Sequence, residues 1–160
     1  DIYRFKEEKA EENTALRMRP NRVIVGECRG AEALDVLQAM NTGHDGSLST
    51  GHANSCKDML SRLETMVLMG MELPLPAIRS QIASGIDILI HLGRMRDKSR
   101  KVLSITEIAG YEENQIILND IYRFKEEKAE ENTVHGAMEK VGELIHTEKM
   151  IRAGYCLDGL

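Results

Sequence analysis

Glu27, His44 and His52 are the residues whose types and spacing point to chemistry, and all three lie in one stretch, RVIVGECRGAEALDVLQAMNTGHDGSLSTGHANS, from Arg22 to Ser55. Glu27 follows the β-branched run Val23-Ile24-Val25 and a glycine. That pattern puts a carboxylate at the carboxyl end of a buried strand, where open α/β sheets bind their ligands. A carboxylate fixed there can orient and deprotonate an attacking water, or hold the water shell of a magnesium ion beside phosphates. Gly26 allows close backbone approach, and Arg29, like Arg17 and Arg19 upstream, offers a forked guanidinium to phosphate. Gly43-His44 and Gly51-His52 flank Ser47-Leu48-Ser49-Thr50, which reads as the next strand. An imidazole there can donate to a phosphate oxygen. The expectation is that Glu27, His44 and His52 meet on neighbouring strand ends.

Each of these residues also has a plainer role open to it. Strands often end in Glu, and most histidines satisfy a loop. His44, Asp45, His52 and Cys56 offer metal ligands, at a spacing that matches no standard zinc pattern. Met59, Met66, Met69 and Met71 suit a core, with a subunit interface as the alternative. Arg94, Arg96, Lys98, Arg100 and Lys101 suit a solvated turn, or a contact with a neighbouring subunit's nucleotide or an acidic partner.

The elements that must position these groups follow from periodicity. Pro20-Asn21 breaks the chain before a strand at Arg22–Gly26. Ala31–Asn41 carries Ala33, Leu34, Val36, Leu37 and Met40 at helical spacing, and Gly43 suits a helix stop. Ser55 and Asp58 match a capping box ahead of a helix to Met69, with Met59, Leu60, Leu63, Met66 and Val67 on its apolar face and Gly70 at its end. Pro76 belongs in the first turn of a further helix bearing Ile78, Ile82 and Ile86. A strand at Ile88–Leu92 follows, then a turn at Arg96–Ser99, and then an antiparallel hairpin of Lys101–Ala109 and Gln115–Phe124. Ala137–Ala153 is expected to be an amphipathic helix with Met138, Val141, Leu144 and Ile145 on one side. The class is α/β.

Asp1–Thr14 recurs unchanged as Asp120–Thr133. Repeat folds have diverged units and at least three of them. The second copy sits in a continuous strand-like run, QIILNDIYRF, whereas the first lacks that upstream half. Residues 1–14 are therefore expected to be a duplicated segment foreign to the native fold, with Lys6–Glu12 a charged, solvated run. Residues 15–133 then form the main domain and 134–160 a helical tail.

Composition narrows the function. A net charge of −5 argues against a nucleic-acid partner held through phosphates. The three cysteines, Cys28, Cys56 and Cys156, are single and widely spaced, which suits a reducing, cytoplasmic setting without a disulfide framework. No apolar run approaches the roughly 18 residues of a membrane span, and the charged N-terminus is unlike a signal peptide.

RVIVGECRG resembles the Walker B segment, and TGHDGSLSTGHANS the histidine box, of the type II/type IV secretion ATPases. The likeness runs through about Ala15–Phe124, and the stretch is especially similar to the tight-adherence (Flp) pilus assembly motors. It implies a partial RecA-like sheet of the P-loop NTPase kind, followed by a β-meander and a helix. It also implies Glu27 as the Walker B glutamate and His44 and His52 as histidine-box residues near the γ-phosphate. His52 then joins Glu27 in catalysis, while Gly26, Arg29 and His44 bind nucleotide. ATP and magnesium are the implied cofactors, the metal being held through the nucleotide. The implied partners are a hexameric ring of like subunits and inner-membrane secretion or pilus assembly proteins, with the motor peripheral at that membrane. Cys28 stands where an aliphatic residue is usual, and it should still bury. No Gly-Lys pair, the hallmark of the phosphate loop, occurs in these 160 residues, so the chain alone is expected to be inactive. A non-catalytic module packing in a ring and a metal-dependent hydrolase are the alternative functions.

Overall fold

The computed structural model describes residues 2–5, 19–127 and 133–156. They fall in two compact units, one of residues 1–86 with 113–115, the other of residues 87–112 with 116–160.

The first unit has a three-stranded parallel sheet of β1 (Ile2–Phe5), β2 (Arg22–Val25) and β3 (Leu48–Ser49), in that order. Three helices accompany it, α1 (Ala33–Asn41), α2 (Cys56–Gly70) and α3 (Leu75–Gly85). The expected helix signals act as anticipated. Ser55 Oγ accepts the N–H of Asp58 at 3.0 Å and starts α2, and Pro76 sits in the first turn of α3. α1 ends beside Gly43, whose φ of 86° is the left-handed conformation that a β-carbon disfavours. The apolar faces of the helices meet each other: Leu34, Leu37 and Ala39 of α1, Leu60, Leu63 and Val67 of α2, and Ile78 and Ile82 of α3 are all buried. Each of these leucines, isoleucines and the valine contributes about 1.5–3 kcal/mol relative to an exposed position. Arg79 clamps the pair α2–α3 by donating from both Nε and Nη2 to the Glu64 carboxylate, at 2.8 and 3.2 Å. Met66 is in this core and Met59 half-buried, while Met69 and Met71 are exposed.

In the second unit β4 (Ile88–Arg94), β5 (Arg100–Glu112), β6 (Gln115–Glu126) and β7 (Gly136–Lys140) form one sheet in sequence order. β4–β5 and β6–β7 pair antiparallel. The hairpin is longer than its sequence suggested: Gly110, Tyr111 and Glu112 join β5, and Glu113-Asn114, both at positive φ, make a tight two-residue turn. A larger departure concerns the tail. Residues 136–140 form β7 instead of opening a helix, and helix is confined to α4 (Glu148–Arg152). The far end of β6 offers free ladder positions that Gly136–Lys140 fill, from Glu126↔Gly136 to Tyr122↔Lys140. Farther on, the buried Glu107 carboxylate of β5 takes the N–H groups of Ile145 at 2.9 Å and His146 at 2.7 Å, which holds that backbone out of a helix. Lys6–Glu12 lies outside the described residues.

Candidate functional site

The site is built at the carboxyl ends of β2 and β3. Val23 anchors β2 in the core, and its N–H donates to Ser47 Oγ at 2.9 Å. The parallel register pairs Ile24 with Leu48 and Val25 with Ser49, so both chains leave the sheet side by side. Beyond the ladder, Thr50 Oγ1 donates to the Gly26 carbonyl at 2.6 Å, and Cys28 N–H donates to the Thr50 carbonyl at 2.9 Å. Cys28 is buried, as its place beside an apolar core requires. Between these tethers Glu27 projects its carboxylate.

Glu27 is largely shielded, with 17% of its side chain exposed. The Arg29 guanidinium pairs with its Oε2, and His52 Nε2 lies 3.0 Å from its Oε1. The hydrogen bond from Arg29 holds the Glu27 carboxyl below its usual pKa against the opposing effect of partial burial, and the charges of Arg29, His52 and Arg62 add to that lowering. Glu27 is thus an anion at neutral pH, with a donor on each oxygen. The backbone bearing Arg29 is itself fixed, because Glu32 Oε1 accepts the N–H groups of Arg29 at 2.6 Å and Gly30 at 2.8 Å. His52 approaches on the short segment between β3 and α2, and Met59 crowds Gly51 just before it: a β-carbon at Gly51 would meet the Met59 thioether at 2.6–2.8 Å. Nothing stands within 4 Å of where a β-carbon would be on Gly26, so a ligand can approach that backbone closely.

Glu27, Arg29, Gly26 and His52 are therefore brought together. His44 is not among them. Because β2 and β3 run parallel, the residue after β3 reaches Glu27, whereas the one before it stays at the amino end. There His44 Nδ1 lies 3.0 Å from the Ala39 carbonyl at the end of α1, and its own carbonyl accepts from Ser47 Oγ at 2.7 Å. Among the described residues no three His, Cys, Asp or Glu side chains are grouped to hold a metal ion. Thr50, Glu32 and Arg62 escaped the sequence reading. Thr50 and Glu32 act through backbone contacts that composition does not reveal, and Arg62 is one exposed arginine on α2 among many surface cations.

The profile of the Type II/IV secretion system protein family matches residues 10–153, nearly the whole chain. The chain belongs to this family. Among members, a putative conjugal transfer protein of Mycobacterium tuberculosis (strain ATCC 25618 / H37Rv) is 44% identical over 91 residues, covering 57% of this chain and 26% of the relative. The type IV secretion system protein VirB11 of Brucella suis biovar 1 is 38% identical over 82 residues, covering 49% and 23%. The crystal structure of the VirB11 ATPase from the Brucella suis type IV secretion system, in complex with sulphate, superposes with a TM-score of 0.58 at 32% identity, covering 61% of this chain and 31% of that one. The likeness extends to the mixed α/β architecture. The chain thus spans about a quarter to a third of the length of the relatives it matches. Among the described residues no helix of this family member is long and apolar enough to cross a membrane.

Proposed function

We propose that this chain is the second half of the motor domain of a secretion ATPase, supplying the water-activating side of an ATP-hydrolysing site. The observation that carries the reading is the ionised, shielded Glu27 carboxylate held between Arg29 and His52 at the ends of two parallel strands. In this reading the carboxylate orients a water and takes up its proton as the water oxygen attacks the γ-phosphorus. The bond from that phosphorus to the bridging oxygen breaks, and ADP departs with the electron pair. Arg29, 66% exposed in its side chain, can turn from Glu27 to a phosphate oxygen, and His52 can donate to another. The open space over Gly26 admits the phosphate chain. Magnesium would come with the triphosphate and offset its charge, and Glu27 is the residue here suited to hold its water shell.

Family membership supports this activity, as does the likeness to a structure titled a VirB11 ATPase. The resemblance of DMLSRLETMVLMGMELPLPAIRS to the tight-adherence motors favours the finer assignment to Flp-type pilus assembly. A ring of like subunits would cover the exposed Leu68, Met69, Met71 and Leu75 beside the α2–α3 junction. In this reading the motor works at the cytoplasmic side of the inner membrane, docked there through its partners. The test is phosphate release from ATP, with magnesium, by the longer protein that contains this sequence. Release that depends on both nucleotide and metal is expected, and a folded, assembled protein that releases none contradicts the proposal.

A further inference from the structure

Thr50 makes two bonds that flank Glu27. Its hydroxyl donates to the carbonyl of Gly26 on one side, at 2.6 Å, and its carbonyl accepts the N–H of Cys28 on the other, at 2.9 Å. The β2–β3 ladder ends at Val25↔Ser49, so these two bonds continue the pairing of the chains past the sheet. Two residues after Thr50 stands His52, which reaches the carboxylate that the two bonds enclose. A single backbone bond would fix one point and leave the 26–28 segment free to rotate about it. Two bonds from one residue fix the direction in which Glu27 projects.

We propose that the Thr50 hydroxyl is a positioning residue that holds the Glu27 carboxylate in register with His52. Thr50 touches neither carboxylate nor imidazole and acts only through the backbone on either side of Glu27. Being exposed, its hydroxyl bond competes with water and adds little to global stability. Its effect is on geometry, where a displacement of about 1 Å at a reacting group can cost about 10²-fold in rate. The kinetic consequence rests on the reading of Glu27 as the water-activating residue, whereas the structural consequence does not.

Two measurements separate these. In the 160-residue chain, amide hydrogen exchange at Cys28 reports the tether directly. Thr50→Val and Thr50→Ala, which lack the hydroxyl, should raise it about tenfold, and Thr50→Ser should stay within about twofold of the parent. The amides of Leu37, Val67 and Ile82, deep in the helical core, should not change in any of the three. In the complete motor, Thr50→Val should lower kcat about tenfold with KM within about twofold, and Thr50→Ser should restore it. Parent-like Cys28 exchange in both hydroxyl-less variants overturns the inference, as does equal acceleration in the serine variant. If Glu27→Gln leaves turnover intact, the catalytic reading fails, and Cys28 exchange still decides the tether.

Discussion

His52 Nε2 lies 3.0 Å from Glu27 Oε1, and the two residues lie just beyond the carboxyl ends of two paired parallel strands, β2 and β3. Glu27 is shielded while the His52 side chain is 81% exposed, so one partner is fixed in the protein and the other faces the space a ligand would enter. In the proposed hydrolysis the carboxylate would act on water while the imidazole turns outward to phosphate.

His52→Ala in the complete motor is expected to lower kcat by about 10- to 10²-fold, the range for losing one donor or proton-transfer partner. Glu27 remains in place on its Arg29 and Thr50 supports, so nucleotide affinity should change little. Steady-state phosphate release against ATP concentration separates the two, and an unchanged kcat would remove His52 from the chemistry.

The second unit is predicted to lose stability in acid. The Asp97 carboxyl is lowered to about 2 by hydrogen bonds from the Ser99 hydroxyl and from the N–H groups of Val134 and Ser99. Burial raises the Glu107 carboxyl, yet the N–H groups of Ile145 and His146 and the Asn119 amide bring it below its usual 4.5. Both are easier to ionise folded than unfolded. Their stabilisation is therefore complete above ordinary carboxylate values and drains away as pH falls from about 4.5 toward about 2. Thermal unfolding followed across that window should show the decline, and Asp97→Asn and Glu107→Gln should each flatten it. Glu107→Gln should also cost about 1–3 kcal/mol at neutral pH, because its amide would confront donors that need an acceptor.

Much of the frame was legible in local signals. Val23-Ile24-Val25, the Ser55 cap, Pro76 and Gly43 each act within a few residues, and each worked as its chemistry requires. Long-range pairing was not legible. Ala137–Lys140 reads as the start of a helix in isolation, yet the ladder positions of β6 override its propensity, and farther on the buried Glu107 carboxylate captures the N–H groups of Ile145 and His146. The same limit explains His44: the equal Gly-His contexts on both sides of β3 hide the fact that a parallel strand has only one end near Glu27.

The repeated segment gives a prediction about assembly. Ile2–Phe5 lies parallel along β2, while the identical Ile121–Phe124 is part of β6. A strand sequence present twice can compete for edges within or between chains. Deleting residues 1–14 should leave the α1–α3 core and the second unit folded and reduce self-association, as read by circular dichroism and light scattering. A deleted chain that unfolds would make the first copy structural.

Alone, the 160-residue chain is expected to bind ATP weakly at best and to hydrolyse none. Phosphate cradling by consecutive N–H groups of a glycine-rich loop and its lysine has no counterpart in this sequence, and an anionic Glu27 repels a bare triphosphate. Millimolar ATP with magnesium should leave the melting temperature unchanged, whereas ligand at about 100 times its Kd would add about 2.7 kcal/mol. A shift abolished by substituting Glu27 or His52 would show that another part of the chain supplies the cradle.

The water-activating role of Glu27 is tested most directly by single-turnover ATP hydrolysis in the complete motor carrying Glu27→Gln. Glutamine keeps the size of the side chain and an acceptor for Arg29 but cannot take a proton from water. The hydrolysis rate is expected to fall about 10²-fold or more with ATP affinity preserved. Near-parent hydrolysis by a fully assembled Glu27→Gln motor would contradict it.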